Sequence, residues 1–510
     1  MPTASTGGSI AISKPTKWRW STTTGRLQKQ DPNSTVWNNF TVKGLNYSPT
    51  PPGWTPEYPH RAYGVTDNIS QIRKFSSMLK NINGNTLRVY VNMYGVAFPT
   101  GGPGNIYDRT DPVLLLKFLD ECYKNGVYIL LDIYVNFSYN STPRDKYHYR
   151  TLIAQQMLQA VAVTKDHPAI MGYVLGNETN LGYSLVHETL ASWLKLANDI
   201  GKEVAVIDNG NHLYGPCNIM SNDIIAAENN GDLNACNVHF FNAYPNPQWN
   251  EDGTNANTGQ FSNWRTFITN NKKFIITETG YSSWNATLQS GGGFNARATA
   301  VLSAGVVTTI NITNGGTGYN TAPTVKIGGG LNNTATATAT ISGGAVTGIN
   351  ITNGGTGYST LSIPIVYIGG AEDETAHALA VGKMWDNFLK PAASLNGGGQ
   401  DVCGGVCYFA SNDELWKSGG YLSGDQVTPA IIANDGNYTH IYNYDESWDS
   451  TNLANPVRKS PIPTMGYINP VGDGRFYEQH FGWWRYADTM INSNLLVPKV
   501  VVTTMTNKWL

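Results

Sequence analysis

The feature that most constrains the fold is a regular alternation of two kinds of segment from residue 40 onward. Apolar runs rich in Val, Ile and Leu alternate with amphipathic stretches of helical period. The strand-like runs are FTVKGLNY (40–47), NTLRVYVN (85–92), VYILLDIYV (127–135), IMGYVLGN (170–177), EVAVID (203–208), NVHFFNAY (237–244), KFIITETG (273–280) and GGVCYFAS (404–411). Continuous apolar strands separated by helices are typical of a parallel sheet buried on both faces. Eight such units predict an α/β fold, a (β/α)8 TIM barrel.

Helix signals between these runs support the same fold. In DPVLLLKFLDECYKNG, Asp111-Pro112 provides an N-cap with Pro in the first turn, and Gly126 stands where a C-cap belongs. NISQIRKFSSMLKNI is a second helix candidate. An open doubly wound sheet is the alternative, but no GxGxxG follows the first strand to favour it.

One segment interrupts the alternation after the seventh strand. Residues 298–336 and 337–375 repeat with a period of 39, and INITNGGTGY occurs in both, at 310–319 and 349–358. Alternating Thr, Ala, Val and Ile before Asn-Gly-Gly predict short strands joined by tight turns. We therefore expect a small all-β module inserted in the barrel; a low-complexity linker is the alternative.

These patterns divide the chain into five regions. They are an N-terminal arm or small cap (1–39), a first part of the barrel (40–290), the inserted β-repeat module (291–375), the completion of the barrel with a long loop at 433–475 (376–490), and a C-terminal tail (491–510). FYEQHFGWWRYADTMI, which begins at residue 476, is an aromatic helix candidate.

Charge and hydropathy limit the partners. Only 14% of the residues are charged and the net charge is -2, which provides no field for nucleic acid or an anionic membrane. A surface of Asn, Thr, Ser, Gly and Tyr suits an uncharged, hydroxyl-rich partner such as a polysaccharide. No apolar run approaches the ~18 residues of a membrane span, and the first 20 residues do not resemble a signal peptide. We expect an extracellular or virion-associated protein that reaches its location by another route.

Cysteine and histidine patterns predict no cofactor and no metal. None of the five cysteines has zinc-ribbon or redox CxxC spacing, so buried free thiols are expected, with one disulfide as the alternative. No cluster of His and Asp demands a metal ion, and His239 is expected to be a packed histidine.

Polar residues end most of the predicted strands. In a barrel of this kind the active site lies at the carboxyl ends of the strands, so these residues are candidates for it. They are Asn46 and Tyr47, Arg88 and Tyr90, Asp132 and Tyr134, Asn177 and Glu178, Asn242 and Tyr244, Glu278, and, after strand eight, Ser411, Asn412, Asp413, Glu414, Trp416 and Lys417.

Two of these candidates form a pair. Glu178 and Glu278 each follow an apolar run, on strands four and seven, whose tips face each other across an eight-stranded barrel. Cleavage of a glycosidic bond needs one carboxyl to protonate the leaving oxygen and one to attack the anomeric carbon. An inward Arg88 would keep one carboxylate ionised by lowering its pKa, while the other, near apolar walls, would stay protonated. The alternatives are solvated strand ends for the glutamates and a structural salt bridge for Arg88.

The motifs around these residues resemble a known group. VLGNETN is similar to the strand-four signature of clan A retaining glycoside hydrolases, and IITETGYSSW to their nucleophile motif, in the form closest to glycoside hydrolase family 17. FTVKGLNYSP, NTLRVYVN and GVYILLDIYV resemble the opening strands of family 72, the β-1,3-glucanosyltransferases. FNAYPN, SNDELWK and EQHFGWW are similar to family 17 motifs. The resemblance covers residues 40–290 and 376–487; the insertion and the 433–475 loop match neither family.

The resemblance implies roles for individual residues. Glu178 would be the acid/base and Glu278 the nucleophile; Asn177 would bind the sugar 2-hydroxyl, Tyr244 would hydrogen-bond the nucleophile and Arg88 would orient it. Further substrate-binding or supporting candidates are Asn46, Tyr90, Asp132, Asn242, Trp284, Glu414 and Trp416. Asp132 could equally form a structural hydrogen bond at the barrel mouth or line a sugar subsite. Trp54, Tyr134, Trp284 and Trp416 could stack on sugar rings or belong to the core.

The resulting prediction is a retaining β-glycoside hydrolase that acts by double displacement on a β-glucan-like polysaccharide. A virion-associated enzyme that depolymerises such a glycan is one version of this prediction. One alternative is a virion or surface protein that uses a glycosidase-like barrel as a structural or glycan-binding unit. Another is a β-glucan transglycosylase. The partners expected are the polysaccharide and, through the inserted module, further copies of the chain or other virion components.

Overall fold

The computed structural model of the chain describes residues 14–47, 68–91, 112–133, 143–182, 190–219, 222–243, 273–280, 284–285, 294–328, 335–356, 358, 365–368, 371–372, 374–389, 403–409, 421–422, 426–427, 483–486 and 496–510. Its strands are β1 (Lys17–Trp20), β2 (Leu27–Gln30), β3 (Asn38–Asn39), β4 (Val42–Asn46), β5 (Thr86–Val91), β6 (Tyr128–Ile133), β7 (Ile170–Val174), β8 (Leu213–Gly215), β9 (Cys217–Ile219), β10 (His239–Asn242), β11 (Phe274–Glu278), β12 (Trp284–Asn285), β13 (Phe294–Ser303), β14 (Val306–Thr317), β15 (Thr324–Gly328), β16 (Thr336–Ser342), β17 (Ala345–Asn353), β18 (Ile365–Ile368), β19 (Ala371–Glu372), β20 (Cys403–Tyr408), β21 (Tyr421–Leu422), β22 (Gln426–Val427), β23 (Trp484–Tyr486) and β24 (Leu496–Pro498). Its helices are α1 (Asn68–Asn81), α2 (Pro112–Lys124), α3 (Pro143–Thr164), α4 (Thr179–Gly182), α5 (Leu190–Asp208), α6 (Asn222–Asn230), α7 (Glu374–Phe388) and α8 (Val500–Lys508).

Nine parallel strands form the central sheet, in the order β8-β7-β6-β5-β4-β20-β11-β10-β9. The two ends of this order, β8 and β9, are consecutive pieces of one strand that Pro216 interrupts, because proline has no N–H to donate to a ladder. The first piece pairs with β7 and the second with β10. The sheet therefore closes on itself, and the predicted (β/α)8 TIM barrel is confirmed.

The fifth strand lies later in the chain than its predicted position. EVAVID (203–208) is the last part of α5, and the strand is formed by β8 and β9. Although Val204 and Val206 suggest a strand, the residues of α5 are buried at helical spacing, and Val206 is 77% exposed. The buried positions are Trp193, Leu194, Ala197, Ile200, Gly201, Val204 and Asp208. The helical period of the whole segment overrides the local β-propensity of its end.

Other elements follow the sequence signals more closely. Helix α2 ends at Lys124, and Gly126 follows with φ +72°, a left-handed conformation that glycine adopts without strain. All five cysteines are free, and all but Cys403 are buried. No helix in the described ranges has the length and hydropathy needed to cross a bilayer.

Residues of the N-terminal arm cover the amino ends of the barrel strands. Strands β1, β2 and β3 form an antiparallel sheet. Trp18, 2% exposed, packs in the lower barrel core and donates its indole N–H to the Ile170 carbonyl at 3.0 Å. Thr16 donates its hydroxyl to the Pro168 carbonyl at 2.8 Å. This arm therefore closes the barrel at the end opposite the strand tips.

Strands β13 to β18 form a separate β-structure with its own core. Each 39-residue unit contributes three strands, β13 to β15 and β16 to β18, and β15 pairs with both β16 and β18. Strands β12 and β19 pair as a two-stranded stem, with Asn285 opposite Ala371. The polypeptide therefore leaves and re-enters the barrel at adjacent points.

The last residues of the chain pack on the barrel. Helix α8 lies against α7, and Trp509 is fully buried beside Trp483 and Trp385. Strand β23 pairs with β24, so the predicted aromatic helix from residue 476 is wrong at Trp484–Tyr486, which is extended. The residues that we designated a tail thus contain a packed helix.

Candidate active site

A buried arginine organises the carboxyl ends of the barrel strands. Arg88 lies on β5 and is fully buried. Its Nε and Nη2 both donate to Asp132 Oδ2, at 3.0 and 2.5 Å, and its Nη1 donates to Glu278 Oε2 at 2.9 Å. Nη2 also donates to Asn177 Oδ1 at 2.6 Å, and Nη1 reaches Asn242 Oδ1 at 3.2 Å. One side chain thus connects residues from strands two, three, four, six and seven of the barrel.

The electrostatics of this cluster follow from burial. Burial works to lower the pKa of Arg88, but the acidic groups around it, Tyr90, Asp132 and Glu278 among them, hold that pKa well above its ordinary value. Burial raises the pKa of Asp132 to about 6, against the opposing effect of Arg88. The guanidinium is therefore always charged, whereas the Asp132 carboxylate becomes protonated in mildly acidic solution.

Three donors converge on one oxygen of Glu278. Glu278, 7% exposed, accepts at Oε2 from Arg88 Nη1 (2.9 Å), the Tyr90 hydroxyl (3.1 Å) and Asn242 Nδ2 (3.1 Å). Burial raises the pKa of Tyr90 well above its ordinary value, so its phenol stays protonated and can donate. These bonds hold the carboxylate in one orientation.

The amide of Asn242 joins the two glutamates. Its Nδ2 lies 3.1 Å from Glu178 Oε1, 3.1 Å from Glu278 Oε2 and 2.8 Å from Asn177 Oδ1. The two carboxylate oxygens are therefore no farther apart than twice 3.1 Å. Retaining glycosidases hold their two carboxyl groups about 5–5.5 Å apart and inverting ones about 6.5–9.5 Å. For these two oxygens the upper limit lies below the inverting range and is compatible with the retaining class.

Glu178 has an unusual backbone conformation. Its φ is +47°, in the left-handed region, and Gly176 two residues earlier has φ +88°. Non-glycine residues seldom adopt this region except where the surroundings enforce it, often at functional sites. The turn after β7 directs the Glu178 carboxylate toward Asn242.

Two residues that the sequence analysis did not select also support the site. Thr277 Oγ1 and Cys217 Sγ contact Asn242 Oδ1 at 3.1 and 3.2 Å. With Arg88 Nη1 on the same oxygen, they orient the amide so that Nδ2 faces the glutamates. Burial raises the pKa of Cys217 to about 12, so its thiol is protonated and can donate. Cys217 could have been selected from the sequence if strand five had been predicted at LYGPCNI. Thr277 gives no such signal, because it lies within the apolar run of β11.

The structure brings most of the predicted site residues together. These are Asn46, Arg88, Tyr90, Asp132, Asn177, Glu178, Asn242 and Glu278. Tyr244, Glu414 and Trp416, like Trp54 and Tyr134, lie outside the described residues, and Trp284 is described only as part of β12. Tyr47 faces away from the site and packs on Phe75 and Phe118. Within the described ranges no group of three His, Cys, Asp or Glu side chains could hold a metal ion.

A model of one protein family matches this chain. Residues 38–309 match the family model described as Cellulase (glycosyl hydrolase family 5). No curated protein sequence matches the chain.

Solved structures similar to this chain include three glycosidases. A GH113 β-1,4-mannanase is 11% identical with a TM-score of 0.38, over 73% of this chain and 88% of the mannanase. The β-mannanase of Streptomyces thermolilacinus is 14% identical with a TM-score of 0.34, over 52% of this chain and 74% of the mannanase. The β-glucuronidase of Lactobacillus rhamnosus is 10% identical with a TM-score of 0.44, over 97% of this chain. The chain spans about half, 52%, of that glucuronidase.

The family differs from the ones that the sequence motifs favoured. The clan A resemblance is confirmed, but the comparisons give no support to a nearer similarity to families 17 and 72. Short motifs at strand ends reflect the shared geometry of a barrel mouth, and they therefore separate related families poorly. Because the matched residues make up more than half of the sequence, the chain belongs to glycoside hydrolase family 5, a clan A family of retaining glycosidases.

Proposed function

We propose that this chain is a retaining β-glycosidase that cleaves a β-glucan-like polysaccharide by double displacement. The observation that carries the proposal is the contact of Asn242 Nδ2 with both Glu178 and Glu278, at 3.1 Å each. This contact sets a carboxyl separation that suits a covalent intermediate rather than a water molecule between the two groups.

Glu278 is the nucleophile in this proposal. Arg88, Tyr90 and Asn242 all donate to Oε2 and hold the carboxylate in one orientation, from which it attacks the anomeric carbon. The C–O bond formed to Glu278 replaces the glycosidic C–O bond, and the electron pair of the broken bond goes to the leaving oxygen.

Glu178 is the acid/base. It is more exposed than Glu278 and lies at the tip of strand four, where a leaving sugar can reach it. Glu178 donates a proton to the leaving oxygen in the first step. Esterification of Glu278 then removes a nearby negative charge, which favours the ionised form of Glu178 and prepares it to take a proton from water.

Asn177 and Tyr244 complete the proposed site. Asn177 accepts at Oδ1 from Arg88 and Asn242, and we propose that its Nδ2 group donates to the sugar 2-hydroxyl. Tyr244 is proposed to hydrogen-bond the nucleophile, and Glu414, Trp416 and Trp284 to line subsites.

The substrate class rests on composition and on the family. The uncharged, hydroxyl-rich sequence suits a neutral glycan, and the family model that matches carries the name cellulase. Transglycosylation on the same glucan differs only in whether a sugar acceptor outcompetes water. An extracellular or virion-associated location, and assembly through the inserted module, belong to the same proposal.

A catalytically inert barrel that serves as a structural or glycan-binding unit is the alternative from another class. The buried network of Arg88, Asp132 and Glu278 speaks against it, because buried charges cost free energy that a purely structural barrel has no need to spend.

A substrate screen tests the proposal. Purified protein is incubated with cellulose, lichenan, laminarin, mannan and galactan, and the anomeric configuration of the first products is followed by NMR. Release of β-anomers from cellulose, lichenan or laminarin supports the proposal, and turnover of mannan or galactan alone would overturn the proposed substrate class. Release of α-anomers, or no turnover on any polymer, would overturn the proposed mechanism.

The two glutamates can be distinguished by chemical rescue on an activated aryl β-glycoside. Glu278→Ala should abolish turnover, and azide should restore it with an α-glycosyl azide as the product. Glu178→Ala should lose about 10²–10⁴-fold in rate on unactivated substrates, and azide should give the β-glycosyl azide. The opposite assignment of product anomers would reverse the two roles.

A further inference from the structure

The segment that follows Glu178 is attached to the second half of strand five. Thr179, which is fully buried, has its hydroxyl 2.8 Å from Asn218 Oδ1 and 3.2 Å from the Cys217 carbonyl, and its single proton is shared between these two acceptors. Asn180 Nδ2 donates to the Ile219 carbonyl at 2.8 Å, and Asn180 Oδ1 accepts from the Ile219 N–H at 2.8 Å. We call Thr179 and Asn180 the latch.

The Asn180 amide takes the place of a missing strand residue. Backbone bonds between strands four and five run from the Leu175 N–H to the Gly215 carbonyl and from the Cys217 N–H to the Gly176 carbonyl. The left-handed turn at Glu178 then diverts the chain from the ladder. A primary amide presents one donor and one acceptor in the geometry of a peptide group. Asn180 thus continues the ladder at Ile219 with its side chain.

Glu178 needs such support because its conformation is unfavourable by itself. A glutamate at φ +47° persists only where neighbouring contacts hold it there. On one side of Glu178, Asn177 is bound to Arg88 and Asn242. On the other side, the latch attaches the chain to strand five, next to the hydrogen bond that the Glu178 backbone makes to Cys217. Loss of the latch would let Glu178 turn to an ordinary backbone conformation and move its carboxyl away from Asn242.

We infer that Thr179 and Asn180 are positioning residues that hold Glu178 in place for proton transfer. This inference rests on the proposed function, in which Glu178 is the acid/base. The latch contacts neither Glu278 nor Arg88 in the described structure, so its loss should affect the steps in which Glu178 moves a proton and spare the attack by Glu278.

The leaving group separates these steps. A 2,4-dinitrophenyl group departs without protonation, whereas a phenyl group needs the acid. With aryl β-glycosides of the sugar found in the screen, Asn180→Ala should lower kcat/KM about tenfold or more for the phenyl glycoside. It should leave kcat/KM for the dinitrophenyl glycoside within about twofold of the parent. Azide should raise the kcat of the variant on the dinitrophenyl glycoside, since hydrolysis of the intermediate also needs Glu178.

A matched control is Asn237, which precedes β10 and binds the other end of strand five. Asn237 makes the same kind of two-bond contact, accepting from the Tyr214 N–H and donating to the His212 carbonyl, both at 2.8 Å. Asn237→Ala removes an equivalent pair of bonds at the other end of the strand. It should change the two kcat/KM values by the same factor, if at all. Thr179→Val, which keeps the side-chain shape and loses both hydroxyl bonds, should reproduce the leaving-group dependence of Asn180→Ala if the latter does not fold.

The outcomes distinguish the inference from the proposed function. If Glu178→Ala shows the leaving-group dependence and both latch variants lack it, the latch has no positioning role and the proposed function stands. Equal losses on both glycosides in the latch variants would likewise make the latch purely structural. If Glu178→Ala shows no leaving-group dependence, the acid/base assignment fails and the inference fails with it.

Discussion

At the scale of single residues, the site contains one buried cation and two carboxylates that share it. Arg88 binds Asp132 and Glu278, and both acidic side chains are nearly inaccessible to solvent. Burial raises the pKa of Asp132 to about 6 even though Arg88 is adjacent. The site therefore holds Asp132 ionised at neutral pH at some cost to the stability of the folded state.

This cost predicts a pH-dependent stability that Asp132→Asn should remove. The unfolded chain releases this proton near the ordinary pKa of 3.8, and the folded chain near 6. Between these values the folded state binds more protons, so the contribution of Asp132 to the free energy of unfolding falls as pH rises from 4 to 6. The total change is of the order of 3 kcal/mol. Urea unfolding of both proteins from pH 4 to 7 measures it.

Because the parent and Asp132→Asn share all other titrating groups, the difference between their two curves of unfolding free energy against pH reports on Asp132 alone. The parent should lose more stability than Asp132→Asn between pH 4 and 6, and the two curves should run parallel above pH 7. Parallel curves throughout would show that Asp132 titrates near its ordinary pKa in the folded protein. Asp199→Asn, which changes an exposed aspartate paired with Lys195 and Lys202, serves as the control.

Site residues were predictable where the signal was a polar side chain at the end of an apolar run. Asn177, Glu178, Asn242 and Glu278 satisfy this rule because parallel strands gather their carboxyl ends, whereas Arg88 was recognisable as a charge in the middle of an apolar strand. Thr277 and Cys217 do not satisfy it, since each is a small side chain within an apolar context. Their contribution arises from contact with the Asn242 amide, which depends on the register between strands and not on the local sequence.

At the scale of elements, the two 39-residue units of the inserted structure make the same contacts. The Tyr319 hydroxyl accepts from the Ala296 N–H at 3.3 Å, and the Tyr358 hydroxyl accepts from the Ala335 N–H at 3.3 Å. The units also exchange bonds: the Tyr319 N–H donates to the Gly344 carbonyl, and the Tyr358 N–H donates to the Gly305 carbonyl. Each unit thus binds the hairpin turn of the other, in the reciprocal manner of a two-fold dimer.

This reciprocity predicts equal effects at the two tyrosines. Both are about equally buried, at 3% exposure, and each hydroxyl satisfies one backbone N–H. Tyr319→Phe and Tyr358→Phe should each destabilise the inserted structure by about 1–2 kcal/mol, because each leaves a buried N–H without its acceptor. Thermal unfolding measures the two variants. A difference of more than about 1 kcal/mol between them would show that the units are energetically unequal.

Strand five shows why an element type can be misassigned from local composition. EVAVID has the β-branched residues of a strand, but it continues a helical pattern that begins at Leu190. The true strand contains Pro216, which breaks it into two short pieces and removes the continuous apolar run that a strand usually shows. The barrel was nevertheless predictable, because seven other strands carried the pattern.

At the scale of the whole molecule, the hydrophobic cores are distinct. One core lies between the barrel strands and their helices, a second fills the lower barrel around Trp18, and a third belongs to the inserted structure. The third core shares no described residue with the other two. The stem strand β12 begins at Trp284, shortly after Glu278, so the inserted structure is attached on the side of the strand tips.

Separate cores predict that the inserted structure can be removed without unfolding the barrel. Asn285 and Ala371 are opposite each other in the stem, and paired residues of antiparallel strands lie about 4.5–5.5 Å apart at their Cα atoms. An Asn-Gly turn can therefore replace residues 286–370 as a two-residue hairpin loop.

The shortened protein should unfold cooperatively and keep its kcat/KM on an aryl β-glycoside within about twofold, because no described site residue lies in the excised segment. Circular dichroism and kinetics test this. Loss of cooperative unfolding would show that the barrel depends on the inserted structure, whereas unchanged aryl-glycoside activity with reduced activity on the polysaccharide would place a substrate-binding role in that structure.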